Sequence, residues 1–200
     1  MKIVIPALLF AVTLVSCKKD TQVTENTEDF TVDSVTVPES NEVVSTVIPF
    51  RKIEFSPEQA AEFLKPKEND TLYVTNFFAT WCGPCIRELP HFTEKMARTK
   101  YQPVKFTFVS VDDRAEWDVT VKEFTEEHGI SGNTVLLDGA ALSPEFFANN
   151  FKQWDGGSIP FTVMKRGNVS DETIGAMSKA MLEAKMNALL PPAVDSANVN

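Results

Sequence analysis

Two cysteines separated by two residues, in Trp81-Cys82-Gly83-Pro84-Cys85, are the side chains of this chain best placed to do chemistry. They follow the apolar, β-rich run Leu72-Tyr73-Val74-Thr75-Asn76-Phe77-Phe78-Ala79 and precede an amphipathic stretch, which puts the pair in the first turn of a predicted helix. Free N–H groups and the positive end of the helix dipole favour an anion there, which eases ionisation of the Cys82 thiol. Only a thiolate attacks a disulfide, and a second thiol one turn along can resolve the mixed disulfide that forms. The chemistry expected is thiol–disulfide exchange, with Cys82 as nucleophile and Cys85 as resolving thiol. A lone pair of this spacing also suits a soft metal, but no second cysteine pair or suitably spaced histidine completes such a site. No metal is therefore expected, and no cofactor beyond the redox pair.

Other polar residues have plainer readings. His91 follows Pro90 well down the helix and is expected to be exposed. His128 precedes Gly129 at a helix C-terminus, where a cation is favoured for reasons unrelated to catalysis. Asp112-Asp113 ends a predicted strand as a turn, not as a metal pair.

A chain of 200 residues suffices for one domain with a real core plus appendages. The formal charge of −9 argues against nucleic acid or an anionic lipid surface as main partner. Cysteines number three, so Cys17 is left over once the close pair is set aside, and a structural disulfide framework is excluded.

Cys17 has its own context. A basic start at Lys2 leads into an apolar run over residues 3–15, shorter than the roughly 20 residues of a membrane span and matching a signal-peptide core. Leu14-Val15-Ser16-Cys17 resembles the lipobox of bacterial lipoproteins, in which the signal is cut before the cysteine and the new terminal Cys carries lipid. Residues 1–16 are accordingly expected to be a signal peptide and Cys17 a lipid anchor; the alternative is an ordinary secretory signal with an incidental cysteine. Lys18-Lys19-Asp20 lacks the aspartate-first pattern tied to inner-membrane retention, which favours an outer-membrane destination. Residues 17–48 are rich in Thr, Ser, Val, Asp and Glu without a sustained amphipathic period, and read as a flexible acidic tether spanning roughly 30 Å; a β-arm packed on the domain is the alternative. Pro191-Pro192 opens a polar tail over residues 191–200, expected to be disordered.

Between these flanks, residues 49–190 read as the folded domain. After a short leading strand or ordered arm over residues 48–55, Ser56-Pro57-Glu58-Gln59 opens a helix, with Ser as N-cap, Pro at the first helical position and Gln three residues on. Residues 71–79 are apolar on both faces, as in a central strand buried on both sides. In the helix after Cys82, Pro90 removes a hydrogen bond and is expected to kink it. A strand over residues 104–111 precedes one helix over 115–128, burying Trp117, Val121 and Phe124. A short strand at 134–137 and a helix opened by Ser143-Pro144-Glu145 follow. Strands at 161–164 and near 172–174 flank the hairpin turn Arg166-Gly167-Asn168, and a helix over 178–190 closes the domain. Strands alternating with helices imply a parallel sheet, and the hairpin adds antiparallel strands.

At this level the chain resembles the thioredoxin-like superfamily, and more narrowly the TlpA/ResA-like thiol–disulfide oxidoreductases of cell envelopes. The resemblance rests on Asn76-Phe77-Phe78-Ala79-Thr80-Trp81-Cys82-Gly83-Pro84-Cys85-Ile86-Arg87-Glu88-Leu89-Pro90 and on Ser158-Ile159-Pro160-Phe161-Thr162. It implies a thioredoxin-like three-layer α/β fold, a central mixed sheet with helices on both faces, in which residues 132–155 match the family's extra strand and helix. It implies that Pro160 is cis and lies against the cysteine pair, so that Ile159 pairs with an extended substrate segment; a trans proline starting a strand is the alternative. Trp81, Gly83 and Pro84 then belong to the substrate-docking surface. Glu88, three residues after Cys85 and on the same helical face, takes the place of an acidic residue that assists proton movement. A carboxylate there can accept the proton of Cys85; the alternative is a solvent-exposed Glu stabilised by the helix dipole. Asn76 departs from general thioredoxins, which carry an acidic group at that strand position, and this strengthens the case for Glu88.

The Gly-Pro dipeptide between the cysteines matches reducing members of the superfamily, so a reductase of disulfide-bearing envelope proteins is expected, located in the periplasm. The resemblance offers apocytochrome c as one substrate and a membrane thiol electron donor of the DsbD/CcdA kind. The alternatives are an oxidase or isomerase, distinguished by reduction potential, and a copper-handling metallochaperone.

Overall fold

The structure is a computed structural model and describes residues 49–190. The expectations for residues 1–48 and 191–200, Cys17 among them, lie outside the described residues. In chain order the elements are β1 (Glu54–Phe55), α1 (Pro57–Phe63), β2 (Leu72–Phe78), α2 (Gly83–Arg98), β3 (Val104–Ser110), α3 (Lys122–Glu127), β4 (Thr134–Leu137), α4 (Pro144–Asn150), β5 (Phe161–Arg166), β6 (Val169–Ile174) and α5 (Lys179–Leu189). They form a six-stranded sheet in the order β1-β4-β3-β2-β5-β6. Neighbours from β1 to β2 pair in parallel, while β5 runs antiparallel to both β2 and β6. This is the expected mixed α/β sheet, and the strand and helix expected within residues 132–155 are β4 and α4.

Period-two alternation in the central strands decides the layers. In β2, Leu72, Val74 and Phe78 point into a core shared with Leu89 and Phe92 of α2 and Leu182 and Met186 of α5. The odd-numbered Phe77 points the other way, to a core shared with Ala60 of α1 and Phe146 of α4. Helices therefore cover both faces, and every residue of β2 except Tyr73 is buried. Local signals start the helices: Ser56 and Gln59 close a capping box on α1, and Ser143 and Ser178 cap α4 and α5. Helix α2 runs unbroken through Pro90.

Two expectations change. The single helix over residues 115–128 is instead a 3₁₀ turn at Arg114–Glu116, a wide π turn at Trp117–Val121 and then α3. The wider turn keeps Trp117 fully buried, with its Nε1 donating to the Asp112 carbonyl at 3.0 Å, and leaves Phe124 only half-buried. The closing hairpin is longer than its apolar residues indicate. β5 and β6 pair up to Arg166 and Val169, so the turn is the two-residue Gly167-Asn168, with Gly167 at φ +53°.

Candidate active site

Strand β2 ends at the centre of the sheet and hands the chain, through residues 79–81, to the start of α2. Cys82 is the N-cap residue, and its sulfur accepts the backbone N–H of Cys85 at 3.2 Å. Pro84 sits in the first turn, where its missing N–H costs nothing. Cys82 and Cys85 are joined by a disulfide, with Cα atoms 5.2 Å apart. The two sulfurs are not equivalent: Cys82 keeps 4% of its surface exposed and Cys85 none.

The Ile159–Pro160 bond is cis. The Ile159 carbonyl lies 3.7 Å from Cys82 Sγ. In the disulfide that sulfur has no hydrogen to give, so the contact is van der Waals; a reduced thiol there would have an acceptor within reach. Pro160 is buried, Ile159 half-buried, and Trp81, the chain neighbour of Cys82, is 73% exposed. Gly83 is half-buried and Pro84 exposed, and a Cβ built on Gly83 would come no closer than 3.4 Å to the Arg87 guanidinium. The cysteines, Ile159 and Pro160 thus meet at one end of the sheet.

Glu88 is 1% exposed, which removes the solvent-exposed alternative. Its Oε1 accepts from Asn76 Nδ2 at 2.8 Å and its Oε2 from the Met177 backbone N–H at 2.7 Å. Asn76 Nδ2 also donates to Thr162 Oγ1 at 3.0 Å. Burial pushes the Glu88 carboxyl up to about 7, against the pull of the Met177 and Asn76 N–H groups, which favour the anion. An acid titrating there can both take and return a proton near neutrality.

Four contributors escaped the sequence reading. Asp112, taken as a turn residue, is 1% exposed and anchors the loop before Trp81. Its carboxylate accepts from Thr80 N at 3.0 Å, Thr80 Oγ1 at 2.7 Å and Ser110 Oγ at 2.8 Å. The signal available was a strand-end acid two residues after Ser110, but its main partner lies 32 residues away. Trp154 Nε1 donates to the Ser158 carbonyl at 2.7 Å, holding the loop that carries Pro160. Gly175, at φ +92°, donates its N–H to the Pro160 carbonyl at 2.8 Å, and Met177 closes the same segment onto Glu88. His91 is half-buried, not exposed. Among the described residues no group of three or more His, Cys, Asp or Glu is placed to hold a metal ion.

The pattern of the Redoxin family matches residues 58–190, two thirds of the chain. The chain belongs to the Redoxin family. Among its relatives, the thiol-disulfide oxidoreductase ResA of Bacillus anthracis is 27% identical over 118 residues, covering 58% of this chain and 62% of that protein. ResA of Bacillus subtilis strain 168 is 28% identical over 124 residues, covering 58% and 60%. A solved structure of a thioredoxin-family thiol:disulfide interchange protein from Chlorobium tepidum TLS superimposes with a TM-score of 0.50 at 27% identity, covering 66% of this chain and 85% of that one. This redoxin is thus a TlpA/ResA-like member of the thioredoxin superfamily, and it spans less than two thirds of the length of these curated relatives.

Proposed function

We propose that this redoxin is a cell-envelope thiol–disulfide oxidoreductase that reduces protein disulfides through Cys82 and Cys85. The observation that carries the reading is the disulfide at the capped start of α2, with the Ile159 carbonyl 3.7 Å from Cys82 Sγ. In the reduced protein, the Cys82 thiolate attacks one sulfur of a substrate disulfide, and the other substrate sulfur leaves as a thiolate. Cys85 gives its proton to Glu88 and attacks Cys82 Sγ, which releases the second substrate thiolate and forms the enzyme disulfide. Two electrons pass to the substrate, and a thiol donor must return them. Pro160 and Ile159 dock the substrate as an extended segment, flanked by Trp81, Gly83 and Pro84. The Gly-Pro dipeptide supports the reducing direction.

The flanks complete the proposal: residues 1–16 as signal peptide, Cys17 as lipid anchor, 17–48 as tether and 191–200 as a tail beyond the domain at 49–190. On this reading the domain works in the periplasm on a membrane leash, facing envelope disulfides such as those of apocytochrome c and recharged by a DsbD/CcdA-type donor. The test is insulin reduction together with the equilibrium potential of the pair. Cys82→Ser should abolish turnover, and retained activity would end the exchange reading. A potential at the oxidising end of the scale makes the protein an oxidase or isomerase. Tight stoichiometric Cu(I) binding without exchange makes it a metallochaperone.

A further inference from the structure

Residues 151–160 lead from α4 to Ile159 and Pro160 without helix or strand, so no regular ladder holds them in place. Their backbone groups need partners from elsewhere, and β6 supplies one at each end. At the start, the Glu172 carboxylate takes two consecutive backbone N–H groups. Lys152 N donates to Oε1 at 2.9 Å and to Oε2 at 3.1 Å, and Gln153 N donates to Oε2 at 2.8 Å. At the finish, the Gly175 N–H donates to the Pro160 carbonyl at 2.8 Å. Between the two, Trp154 Nε1 holds the Ser158 carbonyl, and Gly156 lies against the Phe147 ring with no room for a side chain.

Glu172 is an unexpected residue at its position. It stands opposite Val163 in the β5–β6 ladder, and directly opposed residues share a face. That face is the one where Val163, Phe161 and Trp154 pack. A half-buried carboxylate at the rim of an aromatic cluster gives up hydration, and charge-assisted hydrogen bonds offset the loss. Among the described residues Glu172 forms no salt bridge, and all its hydrogen bonds go to Lys152 and Gln153. What the carboxylate holds is therefore the segment that leads to Pro160.

We propose, resting on the exchange reading, that Glu172 is a positioning residue for the docking segment. It fixes residues 152–153 to the same strand whose Gly175 fixes Pro160, so that Ile159 and Pro160 are held ready for an extended substrate chain. Its partners are backbone N–H groups remote from the sulfurs, so it sets the affinity for a protein disulfide and not the reactivity of Cys82. A small disulfide that reaches Cys82 without pairing with Ile159 does not need the fastening.

The experiment compares wild type, Glu172→Ala and Glu172→Gln in the full chain, with insulin and dipyridyl disulfide as substrates. Glu172→Ala should raise KM for insulin about tenfold, the worth of about one charge-assisted hydrogen bond, with kcat near wild type. The rate with dipyridyl disulfide should not change. Glu172→Gln keeps one acceptor where Oε2 takes both N–H groups, so it should recover most of the loss. Deuterium uptake by the oxidised chain gives a reading free of turnover. Amides of residues 152–159 should exchange about tenfold faster in Glu172→Ala, while those of β2 and α2 keep their protection. Should Glu172→Ala not fold, Glu172→Thr removes the same reach with a better strand former and is read in the same way. Unchanged uptake by residues 152–159, an unmoved insulin KM, or an equal loss of rate with both disulfides would each overturn the proposal. An active Cys82→Ser would end the exchange reading and leave the uptake result standing, so the two failures are told apart.

Discussion

Strands β2 and β5 present two different interiors on their two faces. Toward α1 and α4, Phe77 and Phe161 join Phe151 and Trp154, with Trp154 stacked on Phe161 at 4.3 Å and Phe77 at 4.8 Å from the Trp154 ring. Toward α2, the next residues along the same strands are polar: Asn76 donates to the Glu88 carboxyl and to the Thr162 hydroxyl. Neighbours in sequence thus serve opposite ends. Non-directional packing on the aromatic side gives cohesion. The polar side holds a carboxyl at a cost in desolvation, which is tolerable because the other face supplies the stability.

The aromatic face should be dispensable for chemistry and indispensable for stability. Phe151→Ala should cost about 3–5 kcal/mol of stability, read by urea denaturation, while the exchange rate of the folded protein stays near wild type. The polar face should give the converse. Because burial raises Glu88 from 4.5 to about 7, its contribution to stability is fully present below pH 4.5 and is lost as pH rises through about 7. The loss amounts to about 3 kcal/mol, measurable by denaturation across that window. Glu88→Gln should flatten the slope and slow the Cys85 step about 100-fold. A variant that keeps both the slope and the rate would remove Glu88 from the reaction. The smallest effect tests where the faces join. Trp154→Phe keeps the ring but deletes the bond to the Ser158 carbonyl, for about 1 kcal/mol, and should raise KM for a protein disulfide more than it lowers kcat.

Much of this architecture was legible because its signals are local. The Ser-Pro-Glu-Gln start of α1 and the run from β2 into Cys82 are contiguous, and hydrophobic periodicity reports such segments. The polar site was less so. Asp112 draws its partners from Thr80 and Ser110, and Glu88 draws one from a backbone N–H at Met177, which has no side-chain signature at all. The helix over residues 115–128 was misread because its periodicity does not reveal that Trp117 must reach the Asp112 carbonyl, which sets the wide turn. The far ends of β5 and β6 were missed for a simpler reason. Lys165, Arg166, Ser170 and Asp171 pair there without any apolar alternation to mark them.

The complete burial of Cys85 gives the site a direction of approach. An incoming donor thiol can reach only the sulfur of Cys82, so on recharging it is Cys85 that must depart as the leaving group. In the proposed cycle it departs into an interior that does not tolerate a free thiolate, one helical turn from the Glu88 carboxyl that the proposal makes its acid. The forward and return halves of that cycle therefore pass the same proton between Cys85 and Glu88, in opposite directions.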